Sequence, residues 1–307
     1  MKIEIRFLWR ISIFGISNQE SKNTLFEIFE TEAKKIFYLE NEKLSECSKI
    51  LGGINECDFV LPKLICFDQV ICEYEYGKAS SNNNNNDTTF LADERIKKCR
   101  DDLYKFNKNY NNIVIILESP HVDEFRYIIG CKDGFRIGMP CMGKTGENLK
   151  KYFIDELDKC LEEVFNNDKF KDILKDDENN KFNIIVMNAI QFQCSLGFKL
   201  SKEKNELCKK LFKDKVKDKN DKSEKNIIKS NMIKRLSVYK PKCIVNCSTY
   251  KIRKKIEKIV IDYSENIDED GKSRSIIYIE GNHPSSWGKK KCKKLKEDTL
   301  KLYPEVK

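Results

Sequence analysis

Short apolar runs alternate with longer amphipathic stretches through much of the chain. The runs are IVIIL at 113–117, FNIIVM at 182–187, CIV at 243–245 and SIIYI at 275–279. Between them, residues 147–165, 231–239 and 248–260 carry apolar positions at helical spacing. All-apolar strands that alternate with helices are typical of a parallel sheet covered on both faces. The pattern predicts an α/β fold, a three-layer α/β/α sandwich with a mostly parallel central sheet.

The first part of the chain has a different pattern. It predicts a strand near residues 3–14, a helix near 22–51 and strands near 59–64 and 69–76. The Asn-rich stretch ASSNNNNNDTT at 79–89 is typical of a linker or flexible loop, and a helix is predicted near 92–106. We therefore expect two parts, an N-terminal α+β region of unknown role at 1–88 and a second domain at 89–307.

Charge adds a candidate partner. The 307 residues are 35% charged, with 58 Lys and Arg against 49 Asp and Glu, a formal net charge of +9. This excess suits a polyanion, and it equally suits the solvated surface of a Lys-rich protein. The nearly all-basic stretch WGKKKCKKLK at 287–296 favours the first interpretation.

The cysteines and the absence of long apolar runs indicate the cellular compartment in which the protein is expected. The chain has 13 cysteines, an odd number, and its start reads better as a strand than as a signal peptide. Reduced thiols in a cytoplasm are therefore expected. No apolar run is long enough to predict a membrane-spanning helix, so we expect no membrane partner.

A glycine-rich segment suggests nucleotide binding. Residues 138–145 fit G-x-x-x-x-G-K-[ST], the phosphate-binding loop in which Lys144 would contact phosphate. Such a loop needs a buried strand before it and a helix that begins near its end, with Thr145 as a good N-cap. The preceding stretch CKDGFRI is a poor strand, and the later strands end in Asn188 and Asn246 rather than Asp. A nucleotide hydrolase that uses Gly138 to Thr145 is the alternative function.

Chemically competent side chains follow the predicted strands. Glu118 and His121 follow the first run, Asn188 follows the second, and His283 follows the last. The chain has no other histidines. Ligands of parallel α/β sheets bind beyond the carboxyl ends of the strands, so these side chains are expected to share one site.

Four segments in order resemble motifs of the uracil-DNA glycosylase superfamily. LESPH at 117–121 resembles the first motif, GEAPG in the iron–sulfur branch and GQDPYH in the best-known branch. GMPCMGKTGENL at 138–149 resembles G-x-P-F-V-G-x-x-G-x-x-L of the iron–sulfur branch. IIVMNAI at 184–190 resembles the strand whose final Asn reads the base, and NHPSSW at 282–287 resembles the loop that enters the minor groove.

The resemblance implies a DNA glycosylase that flips out a base and hydrolyses its N-glycosidic bond. It implies a carboxylate that stabilises the sugar cation or activates a water, and a histidine that donates a hydrogen bond to the leaving base. Trp287 would be a wedge in the duplex, and the alternative is a Trp packed against a final helix. The implied residues are Glu118 and His283 for catalysis; Asn188, Cys141, Pro120, His121 and Phe135 for the base; and Lys144, Thr145, Ser285, Ser286 and Trp287 for DNA.

The departures from the motifs bear on the substrate. Leu117 and His121 replace expected residues of the first motif, and Cys141 stands where a Phe would stack on the base. A wider pocket would admit a modified pyrimidine, such as the hydroxymethylated or glucosylated cytosine of viral DNA, which suggests antiviral defence, with DNA repair as the alternative role. Alternatively Phe135, Phe125 or Tyr127 stacks on the base and the substrate is uracil.

The iron–sulfur branch also requires a cysteine pattern that differs from this one. No CxxC occurs in the chain, Cys66 and Cys72 are too far apart to replace it, and Cys194 and Cys208 lie near the expected second pair. We therefore expect no cluster, no metal and no cofactor, and a monomer whose partner is double- or single-stranded DNA. A catalytically inactive nucleic-acid-binding protein of the same fold is a further alternative.

Overall fold

The computed structural model describes residues 64–66, 68–75, 110–121, 124, 130–132, 135–138, 140–141, 143–166, 170, 173, 181–191, 212, 215–217, 224–266, 273–289 and 294–304. The elements predicted at 3–14, 22–51 and 92–106, and all but the end of that at 59–64, lie outside these residues. Phe125, Tyr127, Cys194 and Cys208 also lie outside them.

Eleven strands and three α-helices make up the described part of the chain. The strands are β1 (Leu64–Cys66), β2 (Gln69–Glu75), β3 (Asn111–Leu117), β4 (Gly130–Lys132), β5 (Phe135–Gly138), β6 (Lys181–Asn188), β7 (Lys215–Lys217), β8 (Glu224–Asn226), β9 (Cys243–Asn246), β10 (Ile276–Gly281) and β11 (Leu295–Tyr303). The helices are α1 (Lys144–Asn166), α2 (Ile227–Tyr239) and α3 (Tyr250–Glu265).

The main sheet has six strands in the order β11-β10-β9-β3-β6-β2. Strands β10, β9, β3 and β6 are parallel to one another, and the edge strands β11 and β2 are antiparallel to their neighbours. The order reverses at β3, because β6 lies on one side of it and β9 on the other. The predicted α/β class with a mostly parallel sheet is confirmed.

Helix α1 packs on one face of this sheet because its apolar residues recur at helical spacing. Leu149, Phe153 and Leu157 belong to one buried cluster with the alternate residues Ile113 and Ile115 of β3. Every residue from 112 to 117 is buried, so the remaining residues of β3 are covered as well. A strand that is apolar at every position is thus explained by burial on both faces.

Helices α2 and α3 contact each other, and α2 has a cap at each end. The Asn226 side chain accepts from Lys229 N at 2.9 Å and so satisfies a free N–H of the first turn of α2. Helix α2 is capped after Tyr239 by Lys240, which has a left-handed backbone and whose N–H donates to Leu236 O. The Tyr263 hydroxyl of α3 donates to the same carbonyl at 2.9 Å.

Strand β2 corrects the division at residue 88. It pairs antiparallel with β6 along its length, from Gln69 opposite Val186 to Glu75 opposite Lys181. The Tyr74 hydroxyl donates to Asp158 of α1. Residues 69–75 therefore belong to the domain that was expected to begin at residue 89. The sequence of an antiparallel edge strand does not show which strand it pairs with. The Asn-rich stretch suggested a domain boundary, but the main sheet includes strands from both sides of it.

Strand β11 stands where the alternative interpretation of Trp287 placed a final helix. Its residues Leu300 and Leu302 are partly buried against the core cluster, and Tyr303 lies opposite Ile276 of β10. The pairing shifts register between Tyr278 and Glu280, which indicates a bulge. Pairing with β10 makes this Lys-rich segment the antiparallel edge strand of the main sheet.

Gly281, the last residue of β10, packs against Cys247, which follows β9, and Leu295, which begins β11. A Cβ there would lie 2.6 Å from the Cys247 Sγ and 2.9 Å from the Leu295 Cδ2. We predict that Gly281→Ala lowers the free energy of unfolding by about 1–3 kcal/mol, because overpacking forces neighbours to move. Urea denaturation measures this change.

Gly288→Ala is the matched control, since the nearest atom to its Cβ would be Asn148 Oδ1 at 3.7 Å. Cys247→Ala removes the nearest obstacle and should recover part of the loss in the Gly281→Ala background. Equal stability of the Gly281→Ala and Gly288→Ala variants would contradict the close packing.

Candidate functional site

The carboxyl ends of the parallel strands meet at one edge of the sheet. Leu117 pairs with Asn188, and Ile116 pairs with Asn246. Backbone bonds continue beyond the strands, from Ile190 N to Glu118 O at 3.0 Å and from Cys247 N to Ile116 O at 2.9 Å. This edge therefore brings Glu118 and Asn188 to neighbouring positions, with the segment after β10 two strands away.

Glu118 is buried without a partner among the described residues. Its exposed fraction is 0%, and neither carboxylate oxygen accepts a hydrogen bond from the described part of the chain. Leaving a buried polar group unsatisfied costs about 1–3 kcal/mol, and more for a charge. A carboxylate with these surroundings is unfavourable for the folded chain alone.

Asn188 has the same property one strand away. It is 1% exposed, and neither Oδ1 nor Nδ2 makes a hydrogen bond with the described residues. It continues the row of Phe182, Ile184 and Val186, which belongs to the cluster under α1. An amide can both donate and accept, so Asn188 can recognise a polar edge of a ligand on this face.

His283 lies in a short turn after β10. Its Nδ1 accepts from Ser285 N at 3.4 Å and lies 2.9 Å from Ser285 Oγ. Ser286 N donates to His283 O at 2.9 Å and closes one turn of 3-10 helix over Pro284–Ser286, and Ser286 Oγ donates to the same carbonyl at 2.8 Å. A neutral ring that accepts at Nδ1 carries its proton on Nε2, which makes Nε2 the donor.

Trp287 does not have the exposure that a wedge requires. It is 2% exposed, its ring stacks on Phe153 with centroids 6.4 Å apart, and its Nε1 donates to Asn282 O at 2.7 Å. The Asn148 Nδ2 of α1 also donates to Pro284 O at 2.8 Å. The wedge interpretation is therefore wrong for this structure, because Trp287 is a buried anchor of the turn that carries His283.

The segment before α1 is a tight turn rather than an open loop. Helix α1 begins at Lys144, so Thr145 is a buried residue of the first turn and not the predicted N-cap. Cys141 and Gly143 have φ of 61° and 68°, and a Cβ on Gly146 would overlap the Cys141 carbonyl oxygen. Lys144 is exposed, as a contact with phosphate requires, whereas Thr145 is not.

This turn also argues against a phosphate-binding loop. Strand β5 does lead into Gly138, but it belongs to a separate three-stranded sheet, β1-β5-β4, and not to the main parallel sheet. The Cys141 N–H donates to Glu124 Oε1 at 3.2 Å. A carboxylate on a loop N–H repels phosphate where the nucleotide hydrolase would bind it.

Glu124 connects the first two motifs. Its own N–H donates to His121 O at 3.0 Å, and its carboxylate accepts from Cys141 N. Burial raises the pKa of the Cys66 thiol, and the nearby Glu124 and Cys141 raise it further. Cys141 is buried in the core cluster, so its thiol is a small apolar contact there.

The other residues expected in the site differ in their exposure and in the element that carries them. Pro120 is buried and His121 is half-buried at the edge that Glu118 occupies. Ser285 is exposed and Ser286 is half-buried in the turn after β10. Phe135 begins β5, opposite Lys132 of β4. The structure thus brings Pro120 and His121 to the edge with Glu118.

Two buried arginines donate hydrogen bonds to carbonyls at the strand ends, and sequence analysis did not identify either of them. Arg235 of α2 donates to Asn188 O at 2.9 Å and to Ala189 O at 3.1 Å. Arg253 of α3 donates to Gly281 O at 2.7 Å and to Ser248 O at 3.0 Å. Both lie in stretches rich in lysine, where a basic residue reads as part of a solvated face.

Comparison with known proteins gives no further assignment. No protein-family model matches the chain, and neither curated proteins nor solved structures give a match. In the described ranges, no helix has the length and apolar character needed to cross a membrane. Within those ranges, His, Cys, Asp and Glu side chains also form no group that could hold a metal ion.

The burial of Trp287 generates a stability prediction. Trp287→Ala should lower the free energy of unfolding by about 3–5 kcal/mol, the usual cost of truncating a buried aromatic residue. Trp287→Phe should retain most of the stacking on Phe153 and lose only the bond to Asn282 O. Thermal and urea denaturation report the difference, and an unchanged stability in Trp287→Ala would restore the wedge interpretation.

Proposed function

We propose that the protein is a DNA glycosylase that takes a pyrimidine out of DNA and hydrolyses its N-glycosidic bond to leave an abasic site. The single observation that carries the proposal is the pair Glu118 and Asn188. Both are buried at neighbouring strand ends, and neither has a side-chain partner among the described residues. A buried carboxylate and a buried amide at neighbouring strand ends suit a ligand that supplies a hydrogen-bonding edge and a developing positive charge.

The chemistry divides between three residues. Asn188 would hydrogen-bond the edge of the flipped base, which fixes its orientation. Glu118 would stabilise the cationic sugar or orient the attacking water as the bond to the base breaks. His283 would donate from Nε2 to the pyrimidine oxygen as negative charge develops on the leaving base.

The same proposal includes the fold, the partner and the compartment. Helices α2 and α3 would cover the face opposite α1 to complete a three-layer α/β/α sandwich like that of the uracil-DNA glycosylase superfamily. Lys144 and Ser285 are exposed and suit contacts with DNA phosphates. The net charge of +9 suits a DNA partner. We propose a cytoplasmic monomer that needs no cofactor.

The substrate follows from the small side chain at residue 141. Stacking of an aromatic ring on a base contributes about 1–3 kcal/mol, and the Cys141 thiol supplies little of it. The proposed pocket therefore favours a pyrimidine with a substituent, such as hydroxymethylcytosine or its glucosylated form. Viral DNA that carries such bases would be the target, in an antiviral role.

Glu118→Gln tests the catalytic carboxylate. It keeps the shape of the side chain and removes its charge, so base release should fall by about 100-fold or more while DNA binding persists. The free energy of unfolding should not fall, because a neutral amide costs less to bury than an unpaired carboxylate. Single-turnover base release and urea denaturation measure the two quantities.

Glu257→Gln is the matched control. Glu257 accepts from Lys301 Nζ at 2.6 Å and Tyr303 Oη at 2.7 Å, at the opposite end of β10. This variant should lose stability and keep base release, which is the reverse of Glu118→Gln. Undiminished release by Glu118→Gln would remove Glu118 from the mechanism, whereas absence of release by the unmodified chain would favour nucleic-acid binding without catalysis.

Matched duplexes that contain uracil, hydroxymethylcytosine or glucosylated hydroxymethylcytosine test the substrate. We predict release of a modified cytosine in preference to uracil, read as free base and as strand breaks after alkali. Release of uracil alone by the unmodified chain would contradict the wider pocket.

A further inference from the structure

We propose that Arg235 is a positioning residue that sets the direction of the Asn188 side chain for recognition of the base. The inference rests on the proposed function and adds to it a residue that does not contact the substrate. Its basis is a network of buried charged and polar groups that joins α2 to the ends of β2 and β6.

The network holds the backbone of Asn188 from its carbonyl side. Arg235 is 0% exposed, and its Nη1 donates both to Asn188 O at 2.9 Å and to Asp68 Oδ1 at 2.7 Å. Its Nη2 donates to Ala189 O at 3.1 Å. Tyr239, one turn further along α2, donates its hydroxyl to Asp68 Oδ2 at 2.8 Å.

The main chain is the route by which Arg235 acts, because the amide of Asn188 has no hydrogen bond to the described residues. Its direction therefore follows from the backbone that carries it. The peptide bond that follows Asn188 is held through its N–H, because Ala189 N donates to Leu117 O at 2.8 Å and joins this segment to β3. On the carbonyl side, Arg235 supplies the donors. The two sets of bonds together fix the plane of the Asn188 peptide.

The chemistry of the network suits positioning better than packing. Burying an ion pair costs several kcal/mol per ion, and apolar residues of similar volume are often as stabilising. A guanidinium has planar donors that can engage two successive carbonyls and a carboxylate at once. Lysine carries a charge but only one nitrogen, so it cannot reproduce this geometry.

The chain contains a matched control for Arg235. Arg253 is also buried, and it holds Gly281 O and Ser248 O at the ends of β10 and β9. It contacts neither Asn188 nor Ala189 in these bonds. Arg235→Lys and Arg253→Lys therefore make the same chemical change at two strand ends, and only the first should act through Asn188.

A double-mutant cycle tests the inference in the full-length chain. Single-turnover base release is measured for Arg235→Lys in the native background and in Asn188→Ala. A displaced base-reading group costs roughly 10-fold to 100-fold in rate. We expect a loss of that size in the native background and of less than about threefold in Asn188→Ala, since no amide is left to position. Arg253→Lys should instead show the same factor in both backgrounds.

The substrate preference gives a second readout that a purely structural role would not move. Displacing the amide should change the ratio of release rates between uracil and modified cytosine, whereas partial unfolding lowers both rates equally. Tyr239→Phe, which removes only the hydroxyl donor to Asp68, decides by the same criteria if Arg235→Lys does not fold. We expect it to lose several-fold in rate through Asn188 alone.

Equal factors in both backgrounds with an unchanged substrate ratio would overturn the positioning role, although the proposed function would stand. Absence of base release from the unmodified chain would instead contradict the proposed function itself. The two failures are therefore distinguishable in one set of measurements.

Discussion

The buried guanidinium of Arg235 is the interaction on which the edge of the sheet depends. A parallel strand that leaves its sheet gives up the hydrogen bonds of its last carbonyls, and buried carbonyls need other donors. Arg235 supplies those donors at the end of β6, and Arg253 supplies them at the end of β10. Burial raises the pKa of Asp68, while the attraction of Arg235 and the bond from Tyr239 oppose that rise.

A rigid edge permits polar groups that the core would otherwise reject. Glu118 and Asn188 remain buried although their side chains gain no hydrogen bonds from the described residues. The surrounding strands are apolar on both faces and can offset a cost of a few kcal/mol. Trp287 has a similar role in the turn that carries His283, because its stacking on Phe153 holds that turn against α1. Core packing and buried hydrogen bonds thus hold a few polar atoms in position.

The central architecture follows from the sequence, whereas its long-range polar contacts do not. Apolar runs and helical spacing identify β3, β6, β9, β10 and the three helices, because burial on both faces leaves a periodicity that can be read directly. Arg235 and Asp68 are 167 residues apart, and each is an ordinary charged residue in its own segment. Asp68 also lies within the region assigned to a separate N-terminal part. A tryptophan at residue 287 suited both a wedge in the duplex and a buried anchor, and only its packing on α1 distinguishes the two roles.

The side-chain amide of Asn188 offers the most direct test of the account. Its NMR resonances can be followed as the protein receives duplexes with a 2′-fluoro pyrimidine nucleotide, whose glycosidic bond is slow to break. We predict that the Asn188 amide resonances shift with a hydroxymethylcytosine duplex, and shift far less with a matched duplex that contains only ordinary base pairs. An identical spectrum with both duplexes would contradict a base-reading site at this strand end.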